Sequence, residues 1–221
     1  MPLKAVFFDL DGTFLDTAQD LGNALNQLLV EMGKTEIPLG DLRNIVSDGA
    51  NALLKAGFGI LPQDDSYPAM RKKLLDNYLA DLASHTKPFS GIENLIKELA
   101  ERQIQWGIAT NKPWAYAEPL MQHFEFASAP SALISPEHVS NKKPDPESLY
   151  LACEKANCQP NEAIYVGDHL RDIQCGINAG MPTIAVGYGY ITDKDAHHNW
   201  GASHVVEHAT EIWPILETHY L

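Results

Sequence analysis

The chain predicts an α/β fold, a doubly wound and mostly parallel sheet interrupted by an inserted all-helical cap subdomain. Three observations carry that expectation. The apolar, β-favouring run Val6, Phe7 and Phe8 ends abruptly in two carboxylates, Asp9 and Asp11, as a buried strand does when it delivers acids to its tip. From Pro88 onward, short apolar runs alternate with stretches of helical period. Between these two regions, residues 16–87 hold helical period with no strong strand signal, where a continuous βαβ chain would place its second strand.

Taken in order, the first strand leads through Gly12 and Thr13 into a helix over residues 16–31, on which Leu21, Ala24, Leu25, Leu28 and Leu29 recur at helical spacing. Gly33 stops it. Residues 39–46, 50–56 and 67–82 continue in helical period up to Pro88. Residues 1–15 and 88–221 are therefore assigned to the α/β core and 16–87 to the insert, with hinges near residues 15–18 and 84–90. Ser90 and Glu93 have the spacing of a capping box before a helix through Leu95, Ile96 and Leu99. Strands are expected at 104–110, 132–134, 163–166 and 183–186, and helices at 114–123, 146–156 and 170–179. With the opening run, that makes five strands joined by right-handed crossovers.

Composition narrows the function. A 221-residue chain with 45% hydrophobic residues can bury a substantial core. Its formal net charge of -13 argues against non-specific binding to nucleic acid or an anionic membrane, while a small phosphate remains within reach of one local cation. No apolar run is long enough to span a bilayer, and no basic leader precedes an apolar segment, so the cytoplasm is the expected location. Cys153, Cys158 and Cys175 form no CxxC pair and read as reduced, buried thiols.

The chemistry-bearing residues fall at the predicted strand ends. Asp9 and Asp11 point to one side of an extended chain, and two acids that close are usually reconciled by a divalent cation. A helix-loop-helix calcium loop starts similarly, but needs further oxygen ligands downstream, and here Leu15 and a helix follow. Thr110 and Asn111 offer a hydroxyl and an amide to phosphate oxygens. In the stretch from Asn141 to Pro146, prolines fix the backbone so that a lysine reaches inward as a point charge. Asp168 follows Gly167, and Asp172 lies one helical turn further on the same face. These acids describe an oxygen-rich site suited to octahedral magnesium.

The ordered set Asp9 to Thr13, Thr110 with Asn111, Lys143 with Pro144, and Gly167, Asp168 and Asp172 resembles the four signature motifs of the haloacid dehalogenase-like hydrolase superfamily. The helical insert resembles its C1 cap, and the likeness covers nearly the whole chain. Residues 110–113, 143–146, 167–173 and 188–191 are similar to the phosphoglycolate phosphatase group, and within it to the N-acetylmuramic acid 6-phosphate phosphatase branch. Where that branch often has a second acid after Gly-Asp, this chain has His169, a change read as peripheral. The resemblance implies a Rossmann-like core and a magnesium-dependent phosphomonoesterase acting on a small phosphorylated metabolite as monomer or homodimer. It implies Asp9 as nucleophile, Asp11 as acid and base, and Asp9, the Asp11 carbonyl and Asp168 as metal ligands. Asp172 would stand behind them, with Thr110, Asn111 and Lys143 on the phosphoryl group. It further implies that residues 46–51, with Ser47 and Gly49, form the loop meeting the leaving group, and that Arg43 partners a substrate carboxylate; a helix cap and a solvated arginine are the plain alternatives.

Other readings remain in view. A phosphosugar mutase of the same superfamily would need a bisphosphate activator. A phospho-accepting signalling module combines similar groups, but is shorter and places its accepting acid on a later strand. Asp11 favours phosphate chemistry over haloacid dehalogenation, and no cap lysine is marked out for phosphonate cleavage. His197, His198, His204 and His208 crowd the last quarter, but their spacing matches no ligand register and no cysteine completes a set, so they are read as binding no zinc. Tyr188 and Tyr190 follow the last strand and read as a rim or a binding pair.

Overall fold

The computed structural model describes residues 2–191 and 196–221. In chain order the strands are Ala5–Phe8 (β1), Leu15–Asp16 (β2), Lys87–Pro88 (β3), Gln105–Ala109 (β4), Ala132–Ile134 (β5), Ala163–Gly167 (β6), Thr183–Val186 (β7) and His204–Val206 (β8). The helices are Ala18–Glu31 (α1), Leu39–Leu42 (α2), Gly49–Phe58 (α3), Tyr67–Ala80 (α4), Ile92–Glu101 (α5), Trp114–Met121 (α6), Glu147–Ala156 (α7), Leu170–Ala179 (α8) and Ile212–His219 (α9). They assemble into two compact units, residues 1–15 with 88–221 and residues 16–87.

The first unit is built on a six-stranded sheet in the order β5-β4-β1-β6-β7-β8, its neighbouring strands paired in parallel. Such a sheet needs helices on both faces, which is why its central strands are apolar without alternation: all four residues of β1 and all five of β6 are buried. Phe8 stands opposite Ile108 of β4 and Val166 of β6, so the chain leaves β1 between two neighbours to which it connects in opposite directions. That position is the switch point where open α/β sheets bind ligands. Asp9 is the next residue. Below it, Phe14 stacks on Trp106 with centroids 5.1 Å apart, each ring contributing roughly 2–3 kcal/mol of burial.

The sheet has one strand more than the pattern predicts. β8 is three residues long, begins with a histidine and is half-buried at the sheet edge, so it lacks the apolar run that marks the other strands. The capping box expected from Ser90 is also replaced. The chain turns left-handed at Gly91, whose φ is 105°, and Gly91 rather than Ser90 is the N-cap of α5.

Between the ends of β2 and β3, the regular elements of the second unit are helices. α1 buries Leu21, Ala24, Leu25, Leu28 and Leu29, while α4 buries Met70, Leu74, Leu75 and Tyr78. The helix expected over 39–46 is shorter, stopping at Leu42 before a 3₁₀ turn at Val46–Asp48. Asp20, at the start of α1, is buried and accepts from His85 N at 2.9 Å, Thr86 N at 2.9 Å and Thr86 Oγ1 at 2.6 Å, tying the two ends of the unit together. No helix among the described residues is long and apolar enough to cross a membrane.

Candidate active site

The carboxyl ends of β1, β4 and β6 meet around the ammonium of Lys143. Its Nζ donates to Asp9 Oδ1 at 2.8 Å, to the Tyr165 hydroxyl at 2.8 Å and to the Ala109 carbonyl at 3.1 Å, and lies 2.7 Å from Asp172 Oδ1. The Lys143 side chain is 1% exposed and Asp172 is fully buried. Burying a charge this deeply is tolerable only with partners of the opposite sign. Burial works to lower the Lys143 pKa, but Asp172 and then Asp9 overcome it and raise the value to about 12, so the lysine stays charged. Burial likewise works to raise the Asp9 carboxyl, and the Lys143 ammonium reverses the sign, leaving Asp9 below the usual carboxylate range and ionised.

Asp168 stands beside this pair and has no ion pair of its own among the described residues. Thr13 Oγ1 donates to its Oδ1 at 3.0 Å and Tyr190 N to its Oδ2 at 2.8 Å, which fixes the carboxylate plane. Burial, and then the negative charges of Asp9 and Asp172, push its pKa up to about 8. The Lys143 ammonium thus pairs with two of three buried carboxylates, and oxygens from all three, one from each, lie within 4.8 Å of one another. A set of oxygen donors with too little positive charge fits a hard divalent cation, and Asp9, Asp168 and Asp172 are a group that can bind one. Gly12 makes the approach possible. At φ +87° it turns the chain away after Asp11, and a Cβ there would lie 2.2 Å from Asp168 Oδ2.

The remaining residues singled out by sequence occupy distinct places. Asp11 is held by Lys112, whose Nζ donates to both carboxylate oxygens at 3.0 and 3.2 Å. Thr110 is buried, and its Oγ1 accepts from Lys112 N at 3.1 Å, forming the turn that aims this lysine. Asn111 spends both ends of its amide on the Lys143 backbone, accepting from N at 3.1 Å and donating to O at 3.3 Å. It clamps the lysine-bearing loop onto the end of β4. His169 is the N-cap of α8, its Nδ1 accepting from Arg171 N, while Asp172 Oδ2 accepts from His169 N. Arg43, Ser47 and Gly49 belong to the helical unit. There Arg43 Nη1 bonds both oxygens of Asp16 at 2.9 Å, Ser47 lies in the 3₁₀ turn, and Gly49 opens α3 with a φ of 69°.

Tyr165 and Lys112 are the partners that sequence reasoning misses. Tyr165 reads as one more buried strand residue, yet its hydroxyl accepts from Lys143 and donates to Ala109 O at 2.7 Å. A tyrosine within an otherwise aliphatic strand run is the signal, since a buried phenol requires a partner. Tyr188 and Tyr190 divide their roles. Tyr188 donates through its hydroxyl to Thr13 O at 3.0 Å, and Tyr190 donates through its backbone to Asp168.

Comparison with known proteins identifies the family. The model of a family described as haloacid dehalogenase-like hydrolase matches residues 6–186. An N-acetylmuramic acid 6-phosphate phosphatase of Pseudomonas putida is 42% identical over 218 residues, covering 99% of this chain and 98% of that one. A phosphoglycolate phosphatase of Xanthomonas campestris is 34% identical, covering 95% of each chain. Among solved structures, a predicted phosphoglycolate phosphatase from Haemophilus somnus superposes with a TM-score of 0.83 at 19% identity, over 96% of this chain and 97% of that one. At that identity the superposition speaks for the fold. The chain belongs to the haloacid dehalogenase-like hydrolase family and is a phosphoric monoester hydrolase.

Proposed function

We propose that this enzyme is a magnesium-dependent phosphatase that hydrolyses N-acetylmuramic acid 6-phosphate through an aspartyl-phosphate intermediate. The observation that carries the chemistry is the buried trio Asp9, Asp168 and Asp172, two of which pair with the Lys143 ammonium. The substrate rests on the 42% identical relative that bears that activity in its name and spans the same length.

In this reading Asp9, ionised and aimed from the end of β1, attacks phosphorus in line and displaces the sugar alkoxide. Asp11, the next acid on the same side of the chain, protonates the departing oxygen and then takes a proton from the hydrolytic water. Lys143 holds the non-attacking oxygen of Asp9 and offers positive charge to the transferring group, to which Thr110 donates a hydrogen bond through its hydroxyl. Asn111 keeps Lys143 in register. Magnesium, held by Asp9, Asp168 and the Asp11 carbonyl with Asp172 behind them, would supply the charge that lets a carboxylate approach a phosphate dianion. The helical unit serves as the cap that selects the leaving group, and the enzyme works on a soluble metabolite in the cytoplasm, as monomer or homodimer.

The test is a steady-state comparison of N-acetylmuramic acid 6-phosphate, phosphoglycolate and hexose 6-phosphates with magnesium present. The first should show the largest kcat/KM, and chelation should abolish turnover of all. Preference for phosphoglycolate would keep the chemistry and move the substrate to that of the Xanthomonas relative. Dependence on a bisphosphate activator would replace hydrolysis by phosphosugar mutation.

A further inference from the structure

A second group of metal-ligating side chains lies on the same rim of the sheet, two strands from the acids. His197 and His198 sit on the 3₁₀ turn Ala196–Asn199, and Glu207 follows β8 directly. Spacing along the chain conceals the set, because its third member is a glutamate brought in by the pairing of β8 with β7. His204 takes no part, its Nε2 lying 2.9 Å from the Tyr220 hydroxyl. His197 Nε2 is 2.7 Å from Glu207 Oε1, and His198 Nε2 is 3.3 Å from the same oxygen. The two rings are packed with centroids 4.2 Å apart.

We propose that His197, His198 and Glu207 form a zinc site separate from the catalytic acids. Two imidazole nitrogens and one carboxylate oxygen make a donor set that suits zinc, whereas magnesium prefers oxygen alone. Zinc bonds of about 2.0–2.2 Å place tetrahedral ligand atoms about 3.3 Å from one another. The three atoms here already lie within 4.8 Å of each other, and two of the separations are 2.7 and 3.3 Å. The remaining adjustment falls on the side chains free to make it. His198 and Glu207 are each about half exposed, while His197 at 2% is a fixed anchor.

The surroundings leave room for this cluster and little else. A Cβ on Gly187 would stand 2.3 Å from Glu207 Oε2 and 2.8 Å from His197 Nε2, so only glycine at the end of β7 lets both groups close in. Three protein ligands leave a fourth tetrahedral position for water. Bound zinc would pin the 196–199 turn to β8.

The test uses the full chain, stripped of transition metals and saturated with magnesium so that the acidic site is occupied. Isothermal titration with zinc should reveal one tight equivalent, and cobalt in its place should give the strong visible absorption of a low-coordinate site. His198→Ala and Glu207→Gln, both at exposed side chains, should each lose that equivalent and that absorption while magnesium-dependent phosphatase activity is unchanged. Absence of a zinc equivalent in the unaltered chain, or one retained in both variants, would overturn the assignment.

Discussion

The two units treat their buried acids in opposite ways. In the helical unit, Asp20 receives three hydrogen bonds from residues 85 and 86 and lies beside the His85 ring, so its charge is met by donors in place. In the α/β unit, Lys143 pairs with Asp9 and Asp172, while Asp168 has no ion pair among the described residues and is left with a pKa of about 8. A protein gains stability by satisfying a buried acid, as at Asp20. It gains nothing from keeping three together with too little positive charge, and such a surplus marks a place reserved for a ligand. The contrast locates chemistry and scaffolding before any partner is known.

The sharpest way to break the contrast is to neutralise one acid in each unit. Asp9→Asn should lower turnover by on the order of 10⁴-fold or more while leaving thermal stability close to that of the parent, because it removes the nucleophile. Residual activity near the parent level would reject Asp9 as the attacking group.

A second effect follows from the surplus itself. Asp168 has a folded-state pKa raised from 3.8 to about 8, so between those values the folded chain binds a proton that the unfolded chain has released. Its contribution to stability is fully present below pH 4 and is lost as pH rises through 8, with a slope approaching about 1.4 kcal/mol per pH unit inside that window. Chelator-treated protein should therefore melt at lower temperature at pH 8 than at pH 6, and magnesium should close the gap. Equal melting temperatures across that range without metal would mean the three carboxylates do not share one buried site. Asp20→Asn should behave differently, costing about 1.5–3 kcal/mol through weakened charge-assisted hydrogen bonds, with no rescue by magnesium.

Sequence reached the acids because their logic is local. An apolar run followed by Asp9 and Asp11 places carboxylates at a strand tip whatever the rest of the chain does, and Asp168 after Gly167 repeats the signal. The fold class followed from the same runs. What escaped is whatever depends on distant chain segments meeting. Lys112 and Asp11 are 101 residues apart, and Tyr165 meets Lys143 only because β6 lies beside β1. β8 is too short to show a period, and with it Glu207 was lost, so four histidines were judged by a spacing rule that a folded glutamate does not obey. Asn111 illustrates a subtler limit. Its residue type suits a phosphate oxygen, but in the structure its side-chain amide is engaged by the backbone of Lys143.

The smallest effect tests the helical unit's share in selecting substrate. Arg43 bonds both oxygens of Asp16 at 2.9 Å, and the two side chains are 38% and 35% exposed, so solvent screens the pair. Arg43→Ala should cost only about 0–1 kcal/mol of stability. If Arg43 also receives a substrate carboxylate, it must exchange one carboxylate for another, a transfer that is nearly neutral in energy and suits reversible binding. Arg43→Ala should then reduce kcat/KM for N-acetylmuramic acid 6-phosphate and phosphoglycolate, both of which carry a carboxylate, and leave an aryl phosphate whose leaving group bears no charge unaffected. Ser47→Ala, in the neighbouring turn, should alter the same ratio without touching the Asp16 pair. Should both variants leave all relative rates unchanged, the loop bearing Arg43 and Ser47 does not select substrate.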